Sequence, residues 1–319
     1  LNFQKKSVLI IGTGFMAEEY AQALSKLKIK NVTILGNSLE KSRKLSKKFG
    51  FSYLHGGYKK NLPKIEKQDL VLVVLPIPLV VNAAEYCLKY GQKNLLLEKP
   101  GSLNTKPLQN LKKKIKNQNV RIGYNRLFYS SLEKLKYNIS KDGGINSCSF
   151  TITEWIEKIN FKNYSKDVLQ RWGIANSIHV LSMVFDLIGI PKEMECFKGG
   201  KLSWHNSGSV FVGSGITTKK IPFSYFADWK SSGRWGIEIV TSKNTYKLQP
   251  LEELYISSKT HKEWKKIPLH KSNKKIKEGI IEEISSMLDS EKKSFSKLIT
   301  LDEGIKIIKT TEKIFGYKI

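Results

Sequence analysis

Val8-Leu9-Ile10-Ile11, an apolar and mostly β-branched run, stops at Gly12-Thr13-Gly14-Phe15-Met16-Ala17. Nothing else in the chain narrows its fold as much. A strand, a glycine turn and a helix in that order form a G-x-G-x-x-A dinucleotide fingerprint. Ala17, Tyr20, Ala21, Leu24 and Leu27 come next at helical spacing. The turn is therefore expected at a helix N-terminus, with backbone amides turned toward a diphosphate. Gly12 permits the tight turn, Gly14 keeps side chains away from the phosphates, and the small Ala17 lets helix and strand pack closely. Thr13, Phe15 and Met16 complete the predicted contact surface.

The next fifty residues keep the same rhythm. The spacing predicts a strand over 31–35, a helix over 38–49 and a very apolar strand over 70–75 that ends at Pro76, the alternation of a parallel sheet. Leu75 and Pro76 then fall at the cofactor. In an NAD site the second strand normally ends in a carboxylate for the ribose hydroxyls. Here it ends in Gly36-Asn37-Ser38, with Lys41 and Arg43 close behind. The expectation is NAD(P) with NADP favoured over NAD, its 2′-phosphate accommodated with Lys41 and Arg43 close in sequence, and Asn37, Ser38 and Arg43 are candidate cofactor contacts. The other reading makes Lys41 and Arg43 surface residues of the second helix.

Composition sets the outer limits. A chain of 319 residues, 40% hydrophobic and 26% charged, suits two folded domains and argues against a disordered or fibrous chain. The longest apolar run, 70–81, is short for a membrane span and is broken by Pro76 and Pro78. Asn2, Gln4 and two lysines lead directly into the first strand without a secretory pattern, so the expectation is a cytoplasmic protein without a membrane partner. Cys87, Cys148 and Cys196 lie far apart with no C-x-x-C pair, which predicts neither a metal site nor a disulfide framework. The formal charge of +27 suggests an anionic partner. However, arginine occurs only at 43, 121, 126, 171 and 234, and the lysines are scattered, with Lys112-Lys113-Lys114 the longest run. That pattern predicts a lysine-rich surface attractive to anionic cofactors and substrates, and no specific nucleic-acid partner. A nucleic-acid binder rests on charge alone.

A strand over 94–97 ends in Glu98-Lys99-Pro100, and Gly123-Tyr124-Asn125-Arg126 comes later. With the opening fingerprint, Leu301-Asp302-Glu303-Gly304 near the C-terminus, and Trp229 and Gly233-Arg234-Trp235 in a strand-rich second half, the chain resembles the glucose-fructose oxidoreductase / inositol dehydrogenase (Gfo/Idh/MocA) family. The resemblance implies that Lys99 stands near nicotinamide and substrate, where an ammonium stabilises oxygen charge during hydride transfer. Glu98 would orient the region or touch the cofactor. It also implies an Asp-x-x-x-His helix. Here Arg171-Trp172-Gly173-Ile174-Ala175-Asn176-Ser177-Ile178-His179 matches the histidine but carries Ala175 at the aspartate position. His179 is expected to exchange the substrate proton. The alternative is a buried helix histidine among Ile178, Leu181, Met183 and Val184. Tyr124, Asn125, Arg126, Arg171, Trp172 and Asn176 join Lys99 and His179 as candidate substrate contacts, and Arg126 and Arg171 read equally as structural ion-pair partners. A second departure is Ile77-Pro78-Leu79-Val80-Val81, where the family's loop carries polar residues and histidine.

Beyond about residue 122 the spacing predicts strands over 147–155, 210–212, 221–227, 236–241, 245–248 and 251–257, and helices over 175–188, 276–288 and 302–315. The fold expected is an α/β Rossmann domain with a parallel sheet, residues 1–121, followed by an α+β domain with a largely antiparallel open sheet, residues 122–319. The second domain is expected to close a cleft over the substrate and, by family resemblance, to form a homodimer or homotetramer through its sheet. The expected activity is an NAD(P)-dependent oxidoreductase acting on a hydroxyl-bearing carbon of a sugar, sugar derivative or cyclitol. Two alternatives remain: a nicotinamide-binding sensor or scaffold with altered or lost activity, and a redox-assisted glycosidase.

Overall fold

The computed structural model describes residues 3–269 and 276–318; the N-terminal Asn2 lies outside them. In chain order, β1 (Ser7–Ile11), α1 (Phe15–Lys26), β2 (Asn31–Leu35), α2 (Leu39–Phe49), β3 (Ser52–Leu54), α3 (Tyr58–Asn61), β4 (Leu70–Val73), α4 (Ile77–Lys89), β5 (Asn94–Glu98), α5 (Thr105–Lys114) and β6 (Asn119–Gly123) come first. Next are α6 (Ser130–Lys141), β7 (Ser147–Ile152), α7 (Lys166–Gln170), a π-helical turn over Gly173–Ser177, α8 (Ile178–Ile188), and strands β8 (Pro191–Gly199), β9 (Val210–Thr217), β10 (Pro222–Asp228), β11 (Trp235–Val240), β12 (Asn244–Leu248), β13 (Leu254–Ser258) and β14 (His261–Ile267). The chain closes with α9 (Ile280–Leu288), β15 (Ile299–Thr300) and α10 (Leu301–Phe315).

These elements form two compact units, Leu1–Phe128 with Asn273–Ile305, and Tyr129–Ser272 with Lys306–Ile319. A single boundary between 121 and 122 does not describe that division. The C-terminal segment returns to the first unit because Ile299 and Thr300 pair antiparallel with Ile122 and Arg121 of β6, and α9 packs on α1. Pairings this distant in sequence leave no local trace.

In the first unit the sheet runs β15-β6-β5-β4-β1-β2-β3, parallel except for β15. Strands β1 to β6 carry the doubly wound order 3-2-1-4-5-6, whose reversal lies between β1 and β4. Val8 to Ile11 and Leu70 to Val73 are buried throughout, which explains their unbroken apolar runs: helices cover both faces of such a sheet. Ser38 caps α2 by accepting the Lys41 amide at 3.3 Å, and Gly50 ends it in the left-handed region at φ 71°. The apolar run after Pro76 is not a loop. It begins α4 at once, with Pro78 in the first turn, where a missing N–H breaks no helical bond.

The second unit is built on the sheet β14-β13-β12-β11-β7-β10-β9-β8, antiparallel except that β10 pairs parallel with β7. Alternation directs Phe223, Tyr225 and Ala227 of β10 inward beside Cys148, Phe150 and Ile152 of β7. The almost wholly buried α8 packs against β7 and β11. The opposite face carries a cross-strand row of Phe197, Val212 and Phe226, exposed at 65%, 38% and 54%. Strand β8 has no clear period-2 burial because it is an edge, and the sequence pattern passed over it. Trp229 is fully buried, whereas Trp264 is exposed. All three cysteines are free thiols; burial raises Cys87 and Cys148 to about 12. Among the described residues no helix is long and apolar enough to cross a membrane, and no group of three or more His, Cys, Asp or Glu is placed to hold a metal ion.

Candidate functional site

The fingerprint turn sits at the carboxyl end of β1. Gly12 has φ 139°, and a Cβ there would lie 2.0 Å from the Val74 carbonyl oxygen, so both its conformation and its neighbour require glycine. Gly14 differs: its Cβ would meet nothing within 4 Å. It is the N-cap of α1, whose helical bonding begins with the Glu18 amide donating to the Gly14 carbonyl at 3.1 Å. The amides ahead of Glu18 thus have no helical acceptor, and the space beside Gly14 is open, the arrangement that suits a diphosphate. Phe15 is 70% exposed beside them, while Thr13 and Met16 are half-buried.

At the end of β2, Gly36 is packed against Thr13 and Ser42, and the Gly56 and Gly57 amides donate to the Asn37 and Gly36 carbonyls. Asn37 is exposed and Ser38 half-buried. Ser42, Leu45 and Ser46 form the inward line of α2, so Lys41 and Arg43, both exposed, lie about 100° to either side of it. Half-buried Leu75 and exposed Pro76 come after β4 at the same sheet edge.

Lys99 directly follows β5, which is parallel to β4 and β1, and the Lys99-Pro100 peptide is cis. Two strand spacings separate β5 from β1, which puts Lys99 about 10 Å from the glycine turn along the sheet edge. Behind it lies a group of titratable side chains. The Tyr20 hydroxyl of α1 stands 3.1 Å from Oε2 of Glu283 on α9 and 3.5 Å from Oε2 of Glu98. Burial, followed by the neighbouring carboxylate, raises Glu283 well above the ordinary range; burial also raises Glu98, against the pull of Lys99 and Lys277. Burial lowers Lys277, whose Nζ lies 3.5 Å from Met16 Sδ. Tyr124 is buried and raised by that burial, and Asn125 Nδ2 donates to the Glu278 carbonyl at 2.8 Å, pinning the segment before α9. Arg126 is half-buried, close enough to lower Lys277 further.

The remaining candidates belong to the second unit. Arg171 forms an ion pair with Glu312, donates to the Lys318 carbonyl at 3.1 Å, and lies over the Tyr317 ring. Its guanidinium is engaged in holding the chain end. Trp172 is buried edge-on against Tyr164 and Trp204. The helix expected over 175–188 opens with the π-helical turn, and that turn is anchored by Glu154: Asn176 Nδ2 and Ser177 Oγ donate to its carboxylate at 2.7 and 2.5 Å. Burial raises Glu154, and donors from Ser177, Trp172, Asn176 and Trp235 oppose the rise. His179 is buried in the first turn of α8, tilted against Trp235 with ring centroids 6.0 Å apart. Ala175 is buried and has no group to exchange a proton.

Sequence reasoning did not single out Glu154, Glu283 or Lys277. Two of the three left a signal. Extending the inward parity of Cys148, Phe150 and Ile152 reaches Glu154, and Glu283 interrupts the buried stripe Ile280, Ile284 and Met287. Lys277 left none, since its partners are Met16 and Glu98.

Residues 6–126 match the family model described as an oxidoreductase family with an NAD-binding Rossmann fold, Gfo/Idh/MocA. Among curated proteins, a glutamyl-tRNA reductase of Saccharolobus islandicus is 33% identical over 72 residues, 23% of this chain and 16% of that protein's length. Among solved structures, UDP-N-acetylglucosamine 3-dehydrogenase GnnA from Acidithiobacillus ferrooxidans aligns at TM-score 0.75 and 15% identity over 97% of this chain and 96% of its own. Biliverdin reductase from Synechocystis, solved with biliverdin and NADP+, gives 0.72 and 16% over 95% and 96%. An oxidoreductase from Agrobacterium radiobacter, solved with NAD+, L-tartaric acid and magnesium, gives 0.75 and 12% over 97% and 94%. At such identities the structural likeness establishes the fold of both units and nothing finer.

Proposed function

With residues 6–126 belonging to the Gfo/Idh/MocA family of oxidoreductases, we propose that this protein is an NAD(P)-dependent dehydrogenase or reductase acting on a hydroxyl-bearing carbon of a sugar, sugar derivative or cyclitol. The observation that carries the reading is the open space before Gly14 at the amide end of α1, on the same sheet edge as Lys99. When bound, the nicotinamide nucleotide supplies or accepts the hydride. The first-turn amides of α1 hold its diphosphate, with Gly12, Thr13, Gly14, Phe15 and Met16 around it. Lys99 donates to the substrate oxygen and stabilises its negative charge. His179 takes the hydroxyl proton during oxidation and returns it during reduction. The absence of a carboxylate between Gly36 and Ser38 supports a preference for NADP.

We place the reaction in the cytoplasm, in keeping with three free thiols. A homodimer or homotetramer would cover the Phe197, Val212 and Phe226 row of the open sheet. Ala175 supports a second reading, a cofactor-binding protein without turnover, because an alanine there provides no acid or base.

Fluorescence titration with NADPH and NADH, followed by a panel of sugars, nucleotide-linked sugars and cyclitols, tests both. Binding with turnover that is lost in Lys99→Met and reduced in His179→Ala supports the enzyme. Binding without turnover across the panel supports the second reading. Release of an aglycone without net cofactor reduction would point to redox-assisted glycoside cleavage, and failure of the folded protein to bind either nucleotide overturns all three.

A further inference from the structure

Glu98 and Glu283 come from strand and helix segments far apart in sequence, yet both approach one hydroxyl. Tyr20 has a single proton to donate, and the two carboxylate oxygens lie 3.1 and 3.5 Å from its oxygen, the longer distance at the outer limit of a hydrogen bond. Glu283 is fully buried, and its other oxygen, Oε1, has no partner among the described residues. The Tyr124 hydroxyl, buried in the same neighbourhood, is also without one among them. The end of β6 closes the enclosure: a Cβ on Gly123 would fall 3.0 Å from the Tyr20 oxygen and 3.3 Å from Glu283 Oε1. Two ionised carboxylates at this separation, with one donor between them, repel each other where water screens little. One added proton removes that repulsion and gives the enclosure a second donor.

We propose that Glu98 and Glu283 share a proton across the Tyr20 hydroxyl, and that occupation of the nicotinamide-nucleotide site draws a further proton onto this pair. The proposal rests on the cofactor reading above. Its link to the cofactor is Lys277, whose ammonium contacts Met16 in the first turn of α1 and whose backbone amide donates to Glu19 Oε2 at 3.0 Å. A diphosphate on the amides of that turn brings negative charge to Lys277, which otherwise serves Glu98, Glu283 and Glu19. The remaining carboxylate then binds a proton more tightly, so the cofactor's negative charge is partly neutralised inside the protein. Among the described residues, the charged and titratable groups facing the pair are Lys99 beside Glu98, Tyr20 on α1, Tyr124 after β6, Lys277, and Glu282 on α9, while Glu19 and Arg126 act on Lys277. Their directions agree: burial raises both carboxyls and the Glu98 charge raises Glu283 further, a rise that Lys277 at both, Lys99 at Glu98 and the Tyr20 hydroxyl do not reverse. Glu283 is therefore a positioning and proton-holding residue, acting on the cofactor through Lys277.

Calorimetry of NADPH binding in two buffers of different ionisation enthalpy counts the protons exchanged. The wild-type protein is expected to take up a fraction of a proton per site near neutral pH. Glu283→Gln should reduce that uptake several-fold while still binding NADPH, and Glu98→Gln, which attacks the pair from the other side, should do the same. Infrared difference spectra should show a protonated carboxylic acid in the cofactor-free protein that is lost in Glu283→Gln and shifts when NADPH is added, a response that a merely structural acid would not give. NADPH binding without proton exchange, or with uptake unchanged in both variants, overturns the proposal alone. No binding heat at all overturns the cofactor reading, and this proposal with it.

Discussion

The two units place their candidate residues by opposite means. In the first, the proposed cofactor cradle rests on backbone: the turn at Gly12 and Gly14, the free amides of α1 and the strand ends are local consequences of a short run of sequence, with the distant side chains of Glu98, Glu283 and Lys277 behind them. In the second, side chains distant in sequence hold each other in place. Glu154 anchors Asn176 and Ser177, Arg171 pairs with Glu312, and the Gly173 amide donates to the Tyr317 hydroxyl, which in turn faces His205 Nε2 at 2.8 Å. Burial keeps His205 neutral, lowering it to about 4, so Nδ1–H donates to the Gly208 carbonyl and Nε2 accepts from Tyr317. A backbone site tolerates little change at a few glycines, whereas a side-chain network fails when any member is removed.

The largest expected effect tests that division directly. Arg171→Ala leaves Glu312 buried without its cation, a loss of about 3–5 kcal/mol. Urea unfolding followed by tryptophan fluorescence should report it, while NADPH affinity measured below the transition stays at the wild-type value. A parallel loss of NADPH affinity would mean that the units do not hold their sites independently.

Next comes the pair of glycines. Gly12→Ala is strained at φ 139° and meets the Val74 carbonyl, so it should cost about 2–3 kcal/mol. A Cβ at Gly14 meets nothing, so Gly14→Val should cost only the poorer helix cap, about 1 kcal/mol or less. Its NADPH affinity should nevertheless fall by about tenfold or more, equivalent to about 1.4 kcal/mol. If Gly14→Val keeps full affinity, the space in front of α1 is not where the diphosphate binds.

The same contrast explains how much could be read in advance. The fingerprint, β1, β2, α2, β4 and β5 are fixed by nearest neighbours, and their predicted limits fall within a residue or two of the observed ones, whereas β3, three residues long, has no such signal. The misreadings share a cause. Residues 77–81 look like a loop because proline is read as a breaker, although it is tolerated in a first turn. Strand β8 is an edge, with only Met194 buried along it, so no alternation marks it. The return of 273–305 to the first unit depends on the contacts of Ile299 with Ile122 and of Glu283 with Tyr20, which no local window contains. For the candidate site, the sequence singled out Gly12, Gly14, Glu98, Lys99 and His179 but neither Glu283 beside Tyr20 nor Glu154 beside Asn176 and Ser177, because burial and partners belong to the folded chain.

Two acids sharpen the comparison with opposite pH responses. Burial works to raise Asp142 in the second unit, but hydrogen bonds from Asn244, Thr241 and Tyr246 outweigh it and hold the carboxyl below its ordinary value. Its contribution is therefore complete above the unfolded-state value of about 3.9 and is lost as pH falls through the lower folded value. Glu283 in the first unit is raised, so its contribution is present below its unfolded value and lost as pH rises through the folded one. Asp142→Asn should cost about 1.5–2 kcal/mol near neutral pH, a deficit that closes only below about pH 4. Glu283→Gln should instead be neutral or stabilising relative to wild type at high pH, the advantage fading on acidification. Chemical denaturation across a pH series measures both, and parallel pH dependence of the two variants would remove the contrast.

The smallest expected effect concerns the one part of the first unit's site where exposed side chains rather than backbone carry the reading. Ser42 faces inward, so Lys41 and Arg43 lean to opposite sides of α2 and cannot both reach one phosphate at the end of β2. An exposed cation meeting a phosphate contributes roughly 0.5–1 kcal/mol, a two- to fivefold change in affinity. One of Lys41→Ala and Arg43→Ala should therefore lower the NADPH-to-NADH affinity ratio by about that factor at low salt, and the other should leave it unchanged. Equal ratios in both variants and wild type would show that neither cation selects NADP. Whatever preference the titration then finds must come from the Ser38 hydroxyl and the amides at the start of α2, bringing cofactor choice back to the backbone logic of the rest of that unit.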